Sequence, residues 1–218
     1  NPEPFVKLAS EIWPSHKIKP TLAHSFIALL ANKQRLLRNY TQNIDGLELS
    51  AGLSEDLLVE CHGHFRTGRC IKCKKPVSDM EKVRDEILSN TVPKCDTCSG
   101  YVKPDIVFFG ENLPPLYAER SPKDLRDADL CLIMGTSLKV PPVAFILEVG
   151  KCSRRILINR EMAGDINGKD DLFLPGDCDD SVVEIARELG WEEELLEHHK
   201  NAHEQHQESS QPSDKKAP

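Results

Sequence analysis

Apolar residues recur at helical spacing near the start of the chain. Leu22, Phe26, Leu29 and Leu30 fall on one face of a 3.6-residue period, which predicts a helix over 20–33, and residues 3–14 read the same way. The apolar centre of RLLRNY (35–40), bounded by polar residues, predicts a short buried strand, and 57–60 predicts another. Further strands are expected at 106–110 (IVFFG), 129–134 (DLCLIM), 155–159 (RILIN) and 172–174. Helices are expected over MEKVRDEIL (80–88), 142–150 and 180–189, the last with Asp179 or Asp180 as N-cap. Short apolar strands alternating with helices predict an α/β fold, a parallel sheet with helices on both faces. From residue 198 the sequence HHKNAHEQHQESSQPSDKKAP has no large apolar side chain and predicts a disordered polar tail. Its histidines 198, 199, 203 and 206 read as solvated groups, suited at most to opportunistic metal binding.

Composition narrows the picture. The 218 residues hold one domain plus a small module, with 39% hydrophobic and 29% charged residues, as in ordinary soluble proteins. A net charge of -7 argues against general nucleic-acid binding and suits a basic polypeptide partner. No apolar run approaches the roughly 20 residues that cross a bilayer, so no membrane partner is expected. The first residues carry neither a basic nor an apolar signal segment and no initiator Met, so the chain is expected to begin inside a longer protein. Eight cysteines, four of them paired, suit a reducing compartment better than a disulfide scaffold.

The paired cysteines carry the strongest motif. Cys70-x2-Cys73 and Cys95-x2-Cys98 are separated by 21 residues. Two such knuckles complete a tetrahedral four-thiolate zinc site, with Zn–S bonds of about 2.3 Å and no open position, hence structural. Lys72, Lys74, Lys75 and Lys94 favour the thiolates. A four-cysteine module serves DNA-binding and protein-binding proteins equally, so the remainder of the chain must decide the class.

Gly135-Thr136-Ser137 follows a strand and lets a ligand approach the backbone at its carboxyl end, although the full dinucleotide fingerprint is absent. Asn159 and Glu161 end the next strand and suit ribose hydroxyls, and Gly176-Asp177-Cys178 suits the adenine end. Gln42, Asn43 and Asp45 crowd one strand end around Ile44, which should be buried, and amides there can hold a carboxamide such as nicotinamide. His62 precedes Gly63 and has the chemistry of a general base. His64 would share its face in an extended chain, so periodicity does not separate the two.

Taken together, RNYTQNIDGLE, ECHGHF, the two cysteine pairs, KPDIVFFGE, MGTSLKV, LINRE and GDCD resemble the sirtuin family in order and spacing, from about Pro2 to about Leu196. The KPDIVFFGE and LGW stretches look most like its eukaryotic cytoplasmic and nuclear branch. The resemblance implies a Rossmann-like domain over 1–63 and 103–197, a zinc ribbon over 64–102, and an active site in the cleft between them. It implies NAD as co-substrate: the acyl oxygen of a modified lysine attacks the nicotinamide ribose, nicotinamide leaves, and water yields free lysine and an O-acyl-ADP-ribose. By the same resemblance His62 is the base that activates a ribose hydroxyl. Asn43 and Asp45 line the nicotinamide pocket, with Gln42 at the ribose. Gly135, Thr136 and Ser137 hold pyrophosphate and ribose, and Asn159, Glu161 and Cys178 hold adenosine. Val107 and Phe108 match the acyl-lysine tunnel, and Gly110-Glu111 with Lys139-Val140 match segments that take the substrate peptide as an added strand. Acylated-lysine proteins, such as histone tails or tubulin-like proteins, are the implied partners. The family's N-terminal glycine-rich phosphate turn does not occur here, so an incomplete, weakly active or inactive form is expected, with Pro141 costing one peptide contact. A mono-ADP-ribosyltransferase on the same site and a non-catalytic zinc-ribbon scaffold are the alternatives.

Overall fold

The computed structural model describes residues 1–209 except 16, 147–151, 153, 167 and 168. In chain order its elements are α1 (Glu3–Ile12), α2 (Leu22–Asn32), β1 (Asn39–Thr41), α3 (Leu47–Ser50), β2 (Leu58–Glu60), β3 (Gly63–Cys70), α4 (Met80–Leu88), β4 (Val102–Ile106), α5 (Pro115–Asp127), β5 (Cys131–Met134), β6 (Arg155–Asn159), β7 (Asp171–Pro175), α6 (Cys178–Glu188) and α7 (Glu192–Ser209). They fall into two units. The first comprises Asn1–Ile18, Thr41–Gly46 and Glu60–Pro114, and the second Lys19–Tyr40, Leu47–Val59 and the chain from Pro115 onward. This division differs from the boundaries expected from sequence, because α1, the 41–46 loop and 103–114 segregate with the cysteine-rich segment.

In the first unit α1 turns Val6 and Ala9 inward onto Phe65, Val83, Ile87, Val102 and Ile106. The helix expected over MEKVRDEIL is present as α4, started by the Asp79 carboxylate, which accepts the Lys82 N–H at 2.9 Å. β3 and β4 pair antiparallel, from Cys70 opposite Val102 to Gly63 opposite Ile106, with a break in register between Gly63 and Gly68. The strand expected at 106–110 lies earlier. Val102, Pro104 and Ile106 are buried and alternate with Lys103 and Asp105, a period of two in place of a continuous apolar run. Beyond Ile106 the chain turns, with the Glu111 N–H bonded to the Phe108 carbonyl at 2.9 Å and Gly110 at φ +87°.

The second unit is built on the parallel sheet β5-β6-β7, in register from Cys131 opposite Arg155 to Asn159 opposite Pro175. Alternate side chains separate two apolar layers. Leu132, Met134, Ile156, Ile158 and Leu174 meet Phe26, Leu29, Val182, Ala186 and Leu195 from α2, α6 and α7. Ile133, Leu157 and Phe173 face the other way, onto Leu138, Ala163 and Ile166. The helix expected over 142–150 is represented among the described residues by a 3-10 turn, Val143–Phe145, and 147–150 lie outside them.

Three expectations need correction. Strand pairing begins at Asn39, not Arg35, because Gln34 (φ +57°) and the Arg35 N–H, bonded to the Leu30 carbonyl at 2.8 Å, close α2. Asp177, not Asp179 or Asp180, occupies the N-cap position of α6, without a side-chain cap bond, and those two lie in its first turn, where a carboxylate suits the helix dipole. Residues 198–209 are helical and not a disordered tail. Leu195, His198, His199, Ala202, His203 and His206 recur at helical spacing and are buried or half-buried, whereas Glu193, Glu194, Leu196, Glu197, Lys200 and Glu204 are exposed. Counting histidine as simply polar hid that stripe. No helix among the described residues is long and apolar enough to cross a membrane.

Candidate active site and metal centre

The four sulfurs of Cys70, Cys73, Cys95 and Cys98 lie within 4.8 Å of one another. Cys70 and Cys98 stand 3.5 Å apart, and Cys73 and Cys95 3.8 Å. A tetrahedral ion with bonds of about 2.3 Å sets its ligands about 3.8 Å apart, so the donor set fits zinc. Two matching turns build it. The Lys74 N–H bonds the Cys70 carbonyl at 3.0 Å and the Ser99 N–H the Cys95 carbonyl at 2.9 Å, with Lys74 and Ser99 in the left-handed region. The Ile71 N–H joins the turns by bonding the Tyr101 carbonyl at 2.9 Å. A Cβ on Gly100 would lie 2.9 Å from the Cys70 sulfur, so this position needs glycine.

The thiols are electrostatically frustrated. The Cys73 backbone N–H draws Cys70 down to about 6. Cys98 is pushed up to about 11: the Gly100 N–H lowers it, but the sulfurs of Cys70 and Cys73 outweigh that. Four sulfurs this close cannot all ionise without a cation, and a dication removes the conflict. Four protein ligands make the site structural. The exposed Lys72, Lys74, Lys75 and Lys94 offset the negative charge that a dication with four thiolates retains.

His62 lies between β2 and β3, half-buried. Its Nδ1 is 2.8 Å from the Gln42 carbonyl oxygen. A carbonyl only accepts, so Nδ1 carries the proton and Nε2 of the neutral ring is the basic nitrogen. The Cys61 N–H holds the Thr41 carbonyl at 2.9 Å and the Asn43 N–H bonds Thr41 Oγ1 at 3.1 Å, which ties the 41–43 segment to the histidine turn. Asn43 is exposed, Gln42 and Asp45 are half-buried, and Ile44 packs on the apolar core of this unit, as expected. Gly63 has φ +73°, and a Cβ there would fall 1.9 Å from the Asp105 carbonyl oxygen. The close approach of β4 therefore dictates glycine after the histidine. Cys61 is buried and pushed up to about 12 by that burial, which leaves it inert as a nucleophile. His64 is 3.8 Å from the Glu60 carboxylate, which also takes a two-pronged contact from Arg66 at 2.6 Å.

The Val107 N–H bonds the His62 carbonyl at 2.8 Å, so the chain leaving β4 runs beside the histidine. Phe108 packs on the core, edge-on to Phe5 at 5.3 Å, while Phe109 is 97% exposed. Lys103, the first residue of the KPDIVFFGE stretch and given no role of its own by the sequence, organises this segment. Its ammonium bonds the Ile106 carbonyl at 2.8 Å and the Glu111 carboxylate at 2.6 Å, and stands 4.9 Å from the Phe108 ring centre. Glu111 in turn accepts the Phe108 N–H at 2.9 Å. Lys103 could have been found from the alternation of buried and open positions through VKPDI.

In the second unit the candidate nucleotide residues gather at the carboxyl ends of β5 and β6. The Gly135 N–H bonds the Ile158 carbonyl at 3.1 Å, with Gly135 at φ +60°. The Asn159 amide donates to the carbonyls of Thr136 (3.2 Å) and Glu161 (2.8 Å), joining the two strand ends. The Cys178 thiol lies under the glycine, 3.5 Å from where a Gly135 Cβ would stand. Gly135 and Ser137 are exposed and Thr136 half-buried, so backbone at this turn is open to a ligand. Lys139 is exposed and Val140 half-buried after the turn, where the Val140 carbonyl accepts the Ala144 N–H at 2.9 Å.

Comparison with known proteins gives concordant findings. The model of a family described as the Sir2 family matches residues 1–142. The chain is 46% identical over 198 residues to the NAD-dependent protein deacetylase hst2 of Schizosaccharomyces pombe, covering 89% of this chain and 59% of that protein. It is 43% identical to the NAD-dependent protein deacetylase sirtuin-3 of Mus musculus, covering 90% and 59%. With the NAD-dependent protein deacetylase sirtuin-2 of Danio rerio it shares 41% identity, covering 93% and 59%. The chain thus spans about three fifths of the length of these curated relatives.

Proposed function

The chain belongs to the Sir2 family, and from that premise we propose that the protein removes acetyl and other acyl groups from protein lysines in an NAD-dependent reaction, releasing nicotinamide and an O-acyl-ADP-ribose. Three relatives, each more than 40% identical, are NAD-dependent protein deacetylases by name. The single observation that carries the reading to this chain is the bond from His62 Nδ1 to the Gln42 carbonyl. It orients Nε2 as the base that a ribose hydroxyl needs.

In this proposal Gln42, Asn43 and Asp45 serve the nicotinamide ribose and carboxamide. Gly135, Thr136 and Ser137 serve pyrophosphate and ribose, and Asn159, Glu161 and Cys178 serve adenosine. Val107 and Phe108 receive the acyl-lysine, and Gly110-Glu111 with Lys139-Val140 flank the substrate chain. The 64–102 segment is the zinc module, with Cys70, Cys73, Cys95 and Cys98 as ligands. Substrates are acylated-lysine proteins, with histone tails and tubulin-like proteins as first candidates. The eight cysteines are unbridged, which supports a cytoplasmic or nuclear site.

The test is nicotinamide release and peptide deacetylation by the full-length protein, with and without NAD. His62→Ala should lower turnover by about 100-fold or more, the usual worth of a general base, and leave metal content intact. Turnover that survives the substitution removes the catalytic assignment. NAD-dependent labelling of the peptide without loss of acetyl would favour ADP-ribosyl transfer.

A further inference from the structure

The most organised titratable cluster outside the residues already assigned is the inward stripe of α7. Three imidazoles dock it. His198 Nε2 donates to the Ala51 carbonyl at 2.8 Å, at the end of α3. His203 Nε2 donates to the Pro20 carbonyl at 2.7 Å, just before α2. His199 Nδ1 lies 2.9 Å from the hydroxyl of Ser25, which is fully buried in α2. The rings of His199 and His203 have centres 4.2 Å apart and planes tilted by 54°. Between them the inward side offers only Ala202, so after Leu195 the docking rests on imidazoles and not on large apolar side chains.

We propose that the second half of α7 is a latch that mild acid releases from α2 and α3, with His199 and His203 as its trigger. The hydrogen bonds to Ala51 and Pro20 survive protonation, since the donating N–H is already present. What changes is charge: two half-buried, mutually tilted rings with centres 4.2 Å apart cannot both take up a proton without repulsion. Elements packed against the stripe contribute Asp179 and Arg187 from α6, His24 and Lys33 from around α2, and Glu48 from α3. Arg187 is engaged by Glu192, Lys33 by Glu194, and His24 by the Thr21 cap. Asp179 is the one neighbour whose charge favours protonation of His199, and its carboxylate already accepts the Ala23 N–H at 2.9 Å. On α7 itself, Lys200 and Glu204 form an exposed pair at 4.0 Å.

The sign agrees with the geometry. Burial, then the neighbouring His203, holds His199 below the ordinary histidine value, with Asp179 opposing. The docked helix therefore binds fewer protons than the released one. Docking is at full strength above the ordinary histidine pKa of about 6.5 and is lost as pH falls below it.

Hydrogen exchange of the metal-loaded full chain, corrected for the intrinsic effect of pH, tests the latch. Between pH 7.5 and 5.5, protection of α7 should fall by about tenfold, the scale of local opening, while β6 stays protected. The double variant His199→Gln/His203→Gln keeps polar side chains that cannot charge, and its α7 protection should lose most of its dependence on pH. If that variant does not fold, His203→Gln alone should show a smaller step than the wild type. Unchanged wild-type protection at pH 5.5, a step of full size in the variants, or loss of β6 protection together with α7 would each overturn the proposal.

Discussion

The two units hold their candidate residues by different physics. In the first, four sulfurs on two backbone turns converge on a point, and the turn carrying His62 is fixed by a glycine contact too close for any side chain. In the second, a three-stranded parallel sheet is pressed between two apolar layers, and the Gly135 turn is exposed at the end of that sandwich. The first arrangement sets one chelate beside an apolar core, so the cysteine turns depend on four side chains. The second spreads its support over many apolar side chains in two layers. Local geometry is thus expected to fail all at once in one unit and gradually in the other.

The comparison is broken most directly at the metal. Cys95→Ser, or removal of the ion by a chelator, should abolish metal binding and unfold the ribbon, because most of the ion's binding free energy, on the order of 10 kcal/mol, is folding free energy. Amide exchange of β5–β7 should remain slow, and parallel loss there would show that the units do not differ in this way. A cavity in the second unit should have a smaller effect. Leu157 is fully buried between the layers, and Leu157→Ala should cost about 2–5 kcal/mol, read from thermal unfolding, with metal content unchanged.

The smallest expected effect concerns Asp124. Its carboxylate accepts from Arg38 Nε and Tyr40 O–H, both at 2.8 Å, and is nearly buried. Burial alone would raise its pKa, but those two donors outweigh it and hold the carboxyl below the usual range. The unfolded chain therefore binds the proton more tightly. The stabilisation is present above the ordinary aspartate value of about 3.9 and is lost as pH falls through the lower folded value. Asp124→Asn should cost about 1–3 kcal/mol at neutral pH and shrink the loss of stability below pH 4. An unchanged acid limb would remove Asp124 from the account.

What was legible in the sequence follows the same division. The ribbon was legible because chelation by Cys-x2-Cys depends on a few consecutive backbone angles. The strands expected at 155–159 and 129–134 were legible, the second pairing from Cys131 onward, because a parallel sheet buried on both faces makes a continuous apolar run. The strand at 102–106 was not legible as an apolar run because its inward face includes Pro104 and its outward face Lys103, so alternation replaced the run. α5 was missed because its inner face carries Ser121 and Asp124 beside a single buried Leu125.

By itself, then, the sequence determined the ligands of the metal, the family motifs and the apolar strands, all of which depend on neighbours within a few residues or on simple periodicity. Only the tertiary structure decided that Gln42 presents its carbonyl to His62, that Asp105 forbids a side chain at Gly63, and that a run of histidines is the inner face of a helix. Each of these turns on a polar partner remote in sequence. Whether a polar side chain is solvated or satisfied inside a protein depends on that partner, which neither composition nor periodicity reports.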